Sequence, residues 1–308
     1  MSSEDLKKFQ EITLRILEYY TKAVQFGVSH VEKAMKDIEE LEQRSGINAP
    51  LKIYEFLSDL YSTLAQRYIT SETGKSVDFF NKAIKLREKI LSNKPENSLR
   101  AEILLNLGMT YGSLGDVRDP EENFQKAIKA YHEALTIFTK KDFPIEYAMA
   151  QNNLGTAFGS LGNVRDPEEN CQKAIKACQE ALTIYTKKDF PTDYAGTQNN
   201  LGMAYHSLGD VRDPEENCQK AIKAYHETLT IYTKKDFPTD YAMTQNNLGN
   251  AYGSLGDVRD PEENFQKAIK AYHEALTIYT KKDFPTEYAN TKNNLDISLS
   301  RKRVKNIK

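Results

Sequence analysis

Apolar residues along most of this chain recur at helical spacing, and the helical blocks themselves recur. In the clearest block Tyr241, Leu248, Tyr252 and Leu255 are 7, 4 and 3 positions apart, which puts them on one face of a helix expected over about 239–255. Gly256 follows, suited to the left-handed residue that closes many helices. Asp260-Pro261-Glu262-Glu263 then reads as a helix start. Asp is the N-cap, Pro takes the first helical position, and two acids meet the positive end of the dipole. The second helix carries Phe265, Ile269, Tyr272, Leu276 and Tyr279 at steps of 4, 3, 4 and 3, with Lys267, Lys270, Glu274 and Lys281 on its other faces. Phe284-Pro285 is expected to stop it, because a residue before proline is held out of helical geometry. Helices of about 17–20 residues would be roughly 26–30 Å long.

Asn-Leu-Gly stands at 106–108, 153–155, 200–202 and 247–249, and Asn294-Leu295-Asp296 takes the fifth place, so the interval is 47 each time. One helical hairpin cannot bury its own apolar stripe, so copies at constant interval must stack side by side as a solenoid. The organisation expected is four units over 97–285, then a capping helix over 286–308 that ends in a basic tail. Residues 50–96 read as a degenerate earlier unit: Asn81-Lys82-Ala83-Ile84-Lys85 echoes Gln125-Lys126-Ala127-Ile128-Lys129, and Leu60 aligns with Leu107. Residues 1–48 read as a cap. It is either one long helix or a hairpin broken at Gly27, and the capping-box spacing of Ser29-His30-Val31-Glu32 favours the hairpin.

These residues resemble the tetratricopeptide repeat family. Leu154, Gly155 and Phe158 match the signature of its first helix, Ala174, Cys178 and Ala181 that of its second, and Pro191 its closing proline. The unit is longer than the usual ~34 residues and is similar to arrays in prokaryotic signalling proteins. The resemblance implies an all-α, right-handed alpha-alpha superhelix whose first helices line the concave face. It also implies a non-enzymatic scaffold for protein–protein interaction, in which the asparagine before each Leu-Gly pair clamps a bound peptide backbone.

The charge pattern agrees. Residues 147–162 and 241–256 contain no Asp, Glu, Lys or Arg, whereas the second helices carry several charges each, so the first helices belong on the enclosed side. Repeated there are the amides Asn106, Asn153, Asn200, Asn247 and Asn294, four of them preceded by Asn152, Asn199, Asn246 and Asn293. An amide both donates and accepts, so such a ladder can pair with the N–H and C=O groups of an extended peptide without reading its sequence. The alternative is that the amides bridge neighbouring helices. Selectivity would come from positions that vary between copies: Met109, Thr156, Met203 and Asn250, and Glu102, Met149, Gly196, Met243 and Asn290. Ser113, Ser160, Ser207 and Ser254 stand where carboxylate-gripping relatives have lysine, so no carboxylate clamp is expected.

Composition narrows the remaining choices. Hydrophobic residues, tyrosine included, make up 39% of 308 residues, a thin supply beside the ~45–50% apolar content of ordinary domains. A formal net charge of −2 is too balanced for a nucleic-acid partner, although Arg301, Lys302, Arg303, Lys305 and Lys308 crowd the last eight residues. No run approaches the ~20 apolar residues of a membrane span, so no membrane role is expected. Three cysteines are too few for a disulfide framework and fit a reducing, cytoplasmic setting. Cys171, Cys178 and Cys218 occupy slots held by Phe or Tyr in other copies and read as core fillers with no metal role. His132, His226 and His273 are one copied position without a nucleophile beside it, so no catalysis and no cofactor is expected. Gly74-Lys75-Ser76 lacks the earlier glycine and the strand of a phosphate loop.

The function expected is therefore a scaffold binding an extended or helical segment of a protein or peptide partner. The alternative is a structural protein that self-associates through its C-terminal helix by end-to-end stacking.

Overall fold

The computed structural model describes Lys7 and residues 28–45 and 51–305, and among these the chain is helical with no strand. It divides into two compact units, 1–137 and 138–308. The first holds α1 (Val28–Ser45), α2 (Leu51–Tyr68), α3 (Thr73–Ser92), α4 (Asn97–Gly115) and α5 (Pro120–Leu135). The second holds α6 (Pro144–Gly162), α7 (Pro167–Leu182), α8 (Pro191–Gly209), α9 (Pro214–Leu229), α10 (Pro238–Val258), α11 (Pro261–Leu276) and α12 (Pro285–Lys305). The all-α array of antiparallel hairpins expected from the sequence is the architecture the chain adopts. The choice between one helix and a hairpin at the start turns on residues 8–27, which lie outside the described residues. Among the described residues no helix is long and apolar enough to cross a membrane.

Within the second unit each first helix lies along its own second helix, which packs in turn on the first helix of the next copy. Successive first helices also touch one another directly: α6 meets α8, α8 meets α10, and α10 meets α12. They therefore share the inner side of the stack. The hairpins close tightly because glycine faces a ring. A Cβ placed on Gly249 would lie 2.5 Å from Cε1 of Tyr272, and one on Gly202 would lie 2.6 Å from Cε1 of Tyr225. Tyr225 is 1% and Tyr272 2% exposed, so these rings are the deep core of each pair.

Three local expectations need correction. Gly256 does not close its helix in a left-handed conformation, since α10 runs on to Val258. A Cβ there would sit 3.1 Å from the Phe265 ring, so this glycine serves close packing.

The second helices stop earlier than Phe284-Pro285, with α11 ending at Leu276. Thr280 Oγ1 donates to Asp283 Oδ2 at 2.7 Å and accepts from the Asp283 backbone N–H at 3.1 Å. That turn brings the Tyr279 and Phe284 rings to a 5.5 Å centroid distance, with Tyr279 packed beside Ala242 and Ala275.

Finally, Asp119, Asp166, Asp213 and Asp260 precede proline as expected, but none caps its helix through its side chain. Each is left-handed, with φ between 42° and 45°, a conformation Asp tolerates better than most residues. Its carboxylate accepts from the preceding arginine, as Asp260 does from Arg259 Nε at 3.2 Å. The turn is locked instead by a buried asparagine: Asn264 Nδ2 donates to the Arg259 carbonyl at 2.7 Å, and Asn123, Asn170 and Asn217 repeat the bond.

Neighbouring copies are tied at the surface by exposed ion pairs, Arg212 to Glu168, Arg259 to Glu215 and Arg301 to Asp257. Exposed pairs of this kind contribute about 0–1 kcal/mol each. Helix α12 departs from the pattern at both close approaches, with Asp296 where Gly249 stands and Arg303 where Gly256 stands.

Candidate functional site

The predicted amides of the second unit lie on the shared inner side, and they are bonded to one another. Asn200 Nδ2 donates to Asn152 Oδ1 at 3.1 Å and to Thr156 Oγ1 at 3.2 Å. Asn247 Nδ2 donates to Asn199 Oδ1 at 3.4 Å, and Asn294 Nδ2 donates to Asn250 Oδ1 at 3.1 Å. The amide of each helix thus reaches back to the helix before it. Because both bonds of Asn200 run through its nitrogen, its amide oxygen keeps its acceptor capacity. Asn153, Asn200, Asn247 and Asn294 are half-buried. Asn199 is 3% exposed, and its Oδ1 is the acceptor for Asn247. Asn250 also accepts from the Tyr272 hydroxyl at 2.8 Å. Asn294 turns to Asn250 and not to Asn246, and Asn246 Oδ1 is buried with no donor among the described atoms.

Beside these amides Met149, Met203 and Met243 are 40%, 48% and 37% exposed, and Thr156 is exposed. The face is therefore uncharged and mixed, with amide rungs between flexible apolar side chains that adapt to varied shapes.

The first unit differs. Asn106 is half-buried on α4 and Met109 is exposed beside it. One interval earlier the ladder position is Asp59, a residue sequence reading did not assign to it. Its carboxylate accepts from Arg87 Nη2 at 2.7 Å. Arg87, 3% exposed, also donates to Ser62 Oγ at 2.9 Å and to Thr110 Oγ1. Burial pulls the pKa of Arg87 below its ordinary value, and the hydrogen bond and charge of Asp59 oppose that pull. Glu55 and Glu102 take the places of Met149 and Met243, and Glu55 is paired with Lys52 at 2.9 Å. The same helical face is thus charged in this unit.

Between α6 and α8 lies a cleft of about 70 Å³ that the sequence did not lead us to expect, lined by Gly155, Gly159 and Ala204, by Ser160, Asn163 and Ser207, and by Thr156, Asn200 and Met203. In the α10–α12 gap the corresponding space holds the end of the Tyr272 side chain, whose hydroxyl lies 3.9 Å from where a Cβ on Gly253 would stand. Cys178 replaces that tyrosine in the α6–α7 copy. It is fully buried, 2.7 Å from where a Gly155 Cβ would be. The available signal was a small residue in a slot that other copies fill with a ring.

Residues 195–231 and 242–281 match a family model described as tetratricopeptide repeat, and residues 101–138 match a second model of the same description. Those stretches of the chain are tetratricopeptide repeats. As an array of such repeats the chain is a scaffold for protein interaction. No curated protein matches it. Among solved structures it is similar to BtubC (BKLC) from P. vanneervenii, 20% identical over 90% of this chain and 91% of that one, with a TM-score of 0.50; that likeness speaks to the fold alone. It is also similar to MamA (26% identical, 73% and 93% covered, TM-score 0.44). A third is TTC0263, a TPR protein of Thermus thermophilus (18% identical, 76% and 98% covered, TM-score 0.49). At those scores neither carries a functional argument.

Proposed function

We propose that the inner face of the second unit holds an extended, weakly charged segment of a partner protein, with Asn153, Asn200, Asn247 and Asn294 meeting its backbone. Asn152, Asn199, Thr156 and Asn250 set Asn200, Asn247 and Asn294 from behind, and Met149, Met203 and Met243 meet its apolar side chains. The observation that carries this reading is the chain of amide–amide bonds between consecutive first helices. It fixes the orientation of Asn200, Asn247 and Asn294 before any ligand arrives, which removes part of the ordering cost of binding.

The test is the triple variant Asn153→Ala, Asn200→Ala and Asn247→Ala, titrated with fluorescent peptides selected on the wild-type chain from a random 12-residue library. Loss of the inter-helix bonds costs about 0.5–1.5 kcal/mol each, so melting should fall by only a few degrees while affinity falls tenfold or more. Unchanged affinity would sink the assignment. Self-association through α12 has less support: Asp296 and Arg303 stand where a second helix makes its closest approach to a first helix in the other copies.

A further inference from the structure

We infer that the cleft between α6 and α8 is the anchor pocket of the trough, receiving one branched aliphatic side chain, valine or leucine, of the bound segment. The inference rests on the peptide-binding reading above and adds to it a position and a side-chain class.

In the α8–α9 and α10–α11 hairpins a tyrosine of the second helix passes against the glycine of the Asn-Leu-Gly motif. In the α10–α12 gap that tyrosine reaches the inner side, where Tyr272 bonds Asn250. The side chain belongs to the fold and closes the gap from within. In the α6–α7 hairpin the glycines are kept at 155 and 159, but Cys178 ends one atom past its Cβ. The flanking helices α6 and α8 approach each other more closely than the first helices of the next two gaps do, yet a cleft remains between them. Gly155, Gly159 and Ala204 line it together with Ser160, Asn163 and Ser207; no charged group is among the lining residues, and most of the surface they expose to the cleft is apolar. An apolar occupant is therefore favoured over a polar one, which would lose hydrogen bonds to water.

Size narrows the choice. An apolar cavity of about 150 Å³ accepts benzene, and this one is about half that, at about 70 Å³. A three- or four-carbon side chain suits it better than an aromatic ring. Position supplies the last element. Asn200 stands on the rim with its nitrogen held by Asn152 and Thr156, so its oxygen can accept from the N–H of a residue whose side chain points into the cleft. Met203, 48% exposed, can close over that side chain.

The experiment refills the cleft from its own fold. Cys178→Tyr restores the residue that Tyr225 and Tyr272 supply in the other copies, and its circular dichroism and melting temperature, measured beside wild type, establish that it folds. Cys218→Phe, which restores the residue of Phe124 and Phe265 in a core slot away from the cleft, is the control for general stiffening. The probes are peptides selected from the random 12-residue library on the wild-type chain. Each is measured by fluorescence anisotropy against wild type and both variants, with each Val or Leu of the peptide replaced in turn by Gly. The expected result is a loss of at least tenfold on Cys178→Tyr, none on Cys218→Phe, and one Val or Leu whose replacement weakens binding to wild type but not to Cys178→Tyr. Peptides that bind Cys178→Tyr as tightly as wild type overturn the anchor and leave the trough reading intact. A library that yields no binder to wild type overturns both.

Discussion

Gly108 and Gly112 lie one turn apart on α4, and substituting each with alanine should move stability in opposite directions. At Gly112 an added Cβ meets nothing within 4 Å, so the change keeps the helix intact and lowers the entropy of the unfolded chain. Gly→Ala inside a helix is worth roughly 0.5–1 kcal/mol of stabilisation under those conditions. At Gly108 the same Cβ would lie 2.5 Å from Cε1 of Tyr131 and 2.8 Å from both Cδ1 and Cζ. Three atoms of one rigid ring are involved, and Tyr131 is 3% exposed, so the ring has no free direction of escape. Relief requires the helices to part, and overpacking of this kind costs about 1–3 kcal/mol, here at the upper end. After subtracting the same helix-propensity gain, Gly108→Ala should fall about 2 kcal/mol below wild type and about 3 kcal/mol below Gly112→Ala. Urea unfolding followed by circular dichroism measures both. If the two substitutions shift the midpoint in the same direction, close approach of ring to backbone is not what holds the hairpin together.

Other consequences follow from single side chains. Asp59→Asn removes the charge opposing Arg87; because Asp59 is half-exposed and water can partly take its place, the cost should be about 1–2 kcal/mol, well below the ~3–5 for a fully buried pair, read by urea unfolding. Burial pushes the Cys178 thiol up to about 12, Cys218 up to about 11, and Cys171 upward. A thiol-reactive dye at pH 8 should therefore leave all three unlabelled in the folded chain and label all three in denaturant; prompt labelling of the native protein would contradict their burial. Burial lowers the pKa of His206 from 6.5, with the nearby Asp210 carboxylate opposing, and its Nε2 lies 3.0 Å from Ser254 Oγ. The unfolded chain thus takes up this proton at a higher pH than the folded chain. The stabilisation is complete above about 6.5 and is lost as pH falls through the lower folded value. His206→Gln should flatten the decline in urea midpoint between about pH 7 and pH 5. His226, also lowered by burial, leaves a residual slope.

Much of this fold is legible in the sequence because its unit is copied. A 47-residue interval with apolar positions at steps of 3 and 4 specifies hairpins that cannot be stable alone, and the rest of the architecture follows from burying their stripes. The ends of the elements were less legible. Tyr279 continues the apolar spacing of α11, yet it leaves the helix, and its ring is buried against Ala242 of α10 and Ala275 with Phe284 beside it. The aspartates before proline carry a helix-start signal, but their left-handed backbone is set by the asparagine four residues later, a residue that local propensity places on no particular side. The amides were visible as a ladder; that each one holds its predecessor in the stack depends on helix-to-helix spacing. The cleft was invisible for a related reason. Cys178 by itself is an ordinary buried residue, and only the placement of Gly155, Gly159 and Ala204 around it shows that nothing replaced the missing ring.

A track of nearly equivalent positions has a built-in ambiguity: a guest displaced by one interval would find almost the same rungs again and could sit in several alignments of similar energy. Tyr272 closes the α10–α12 gap from inside, whereas the α6–α8 gap keeps a cleft, so translation along the track is no longer a near-symmetry. A segment held there as proposed would have a single preferred phase, set by the absence of one phenol.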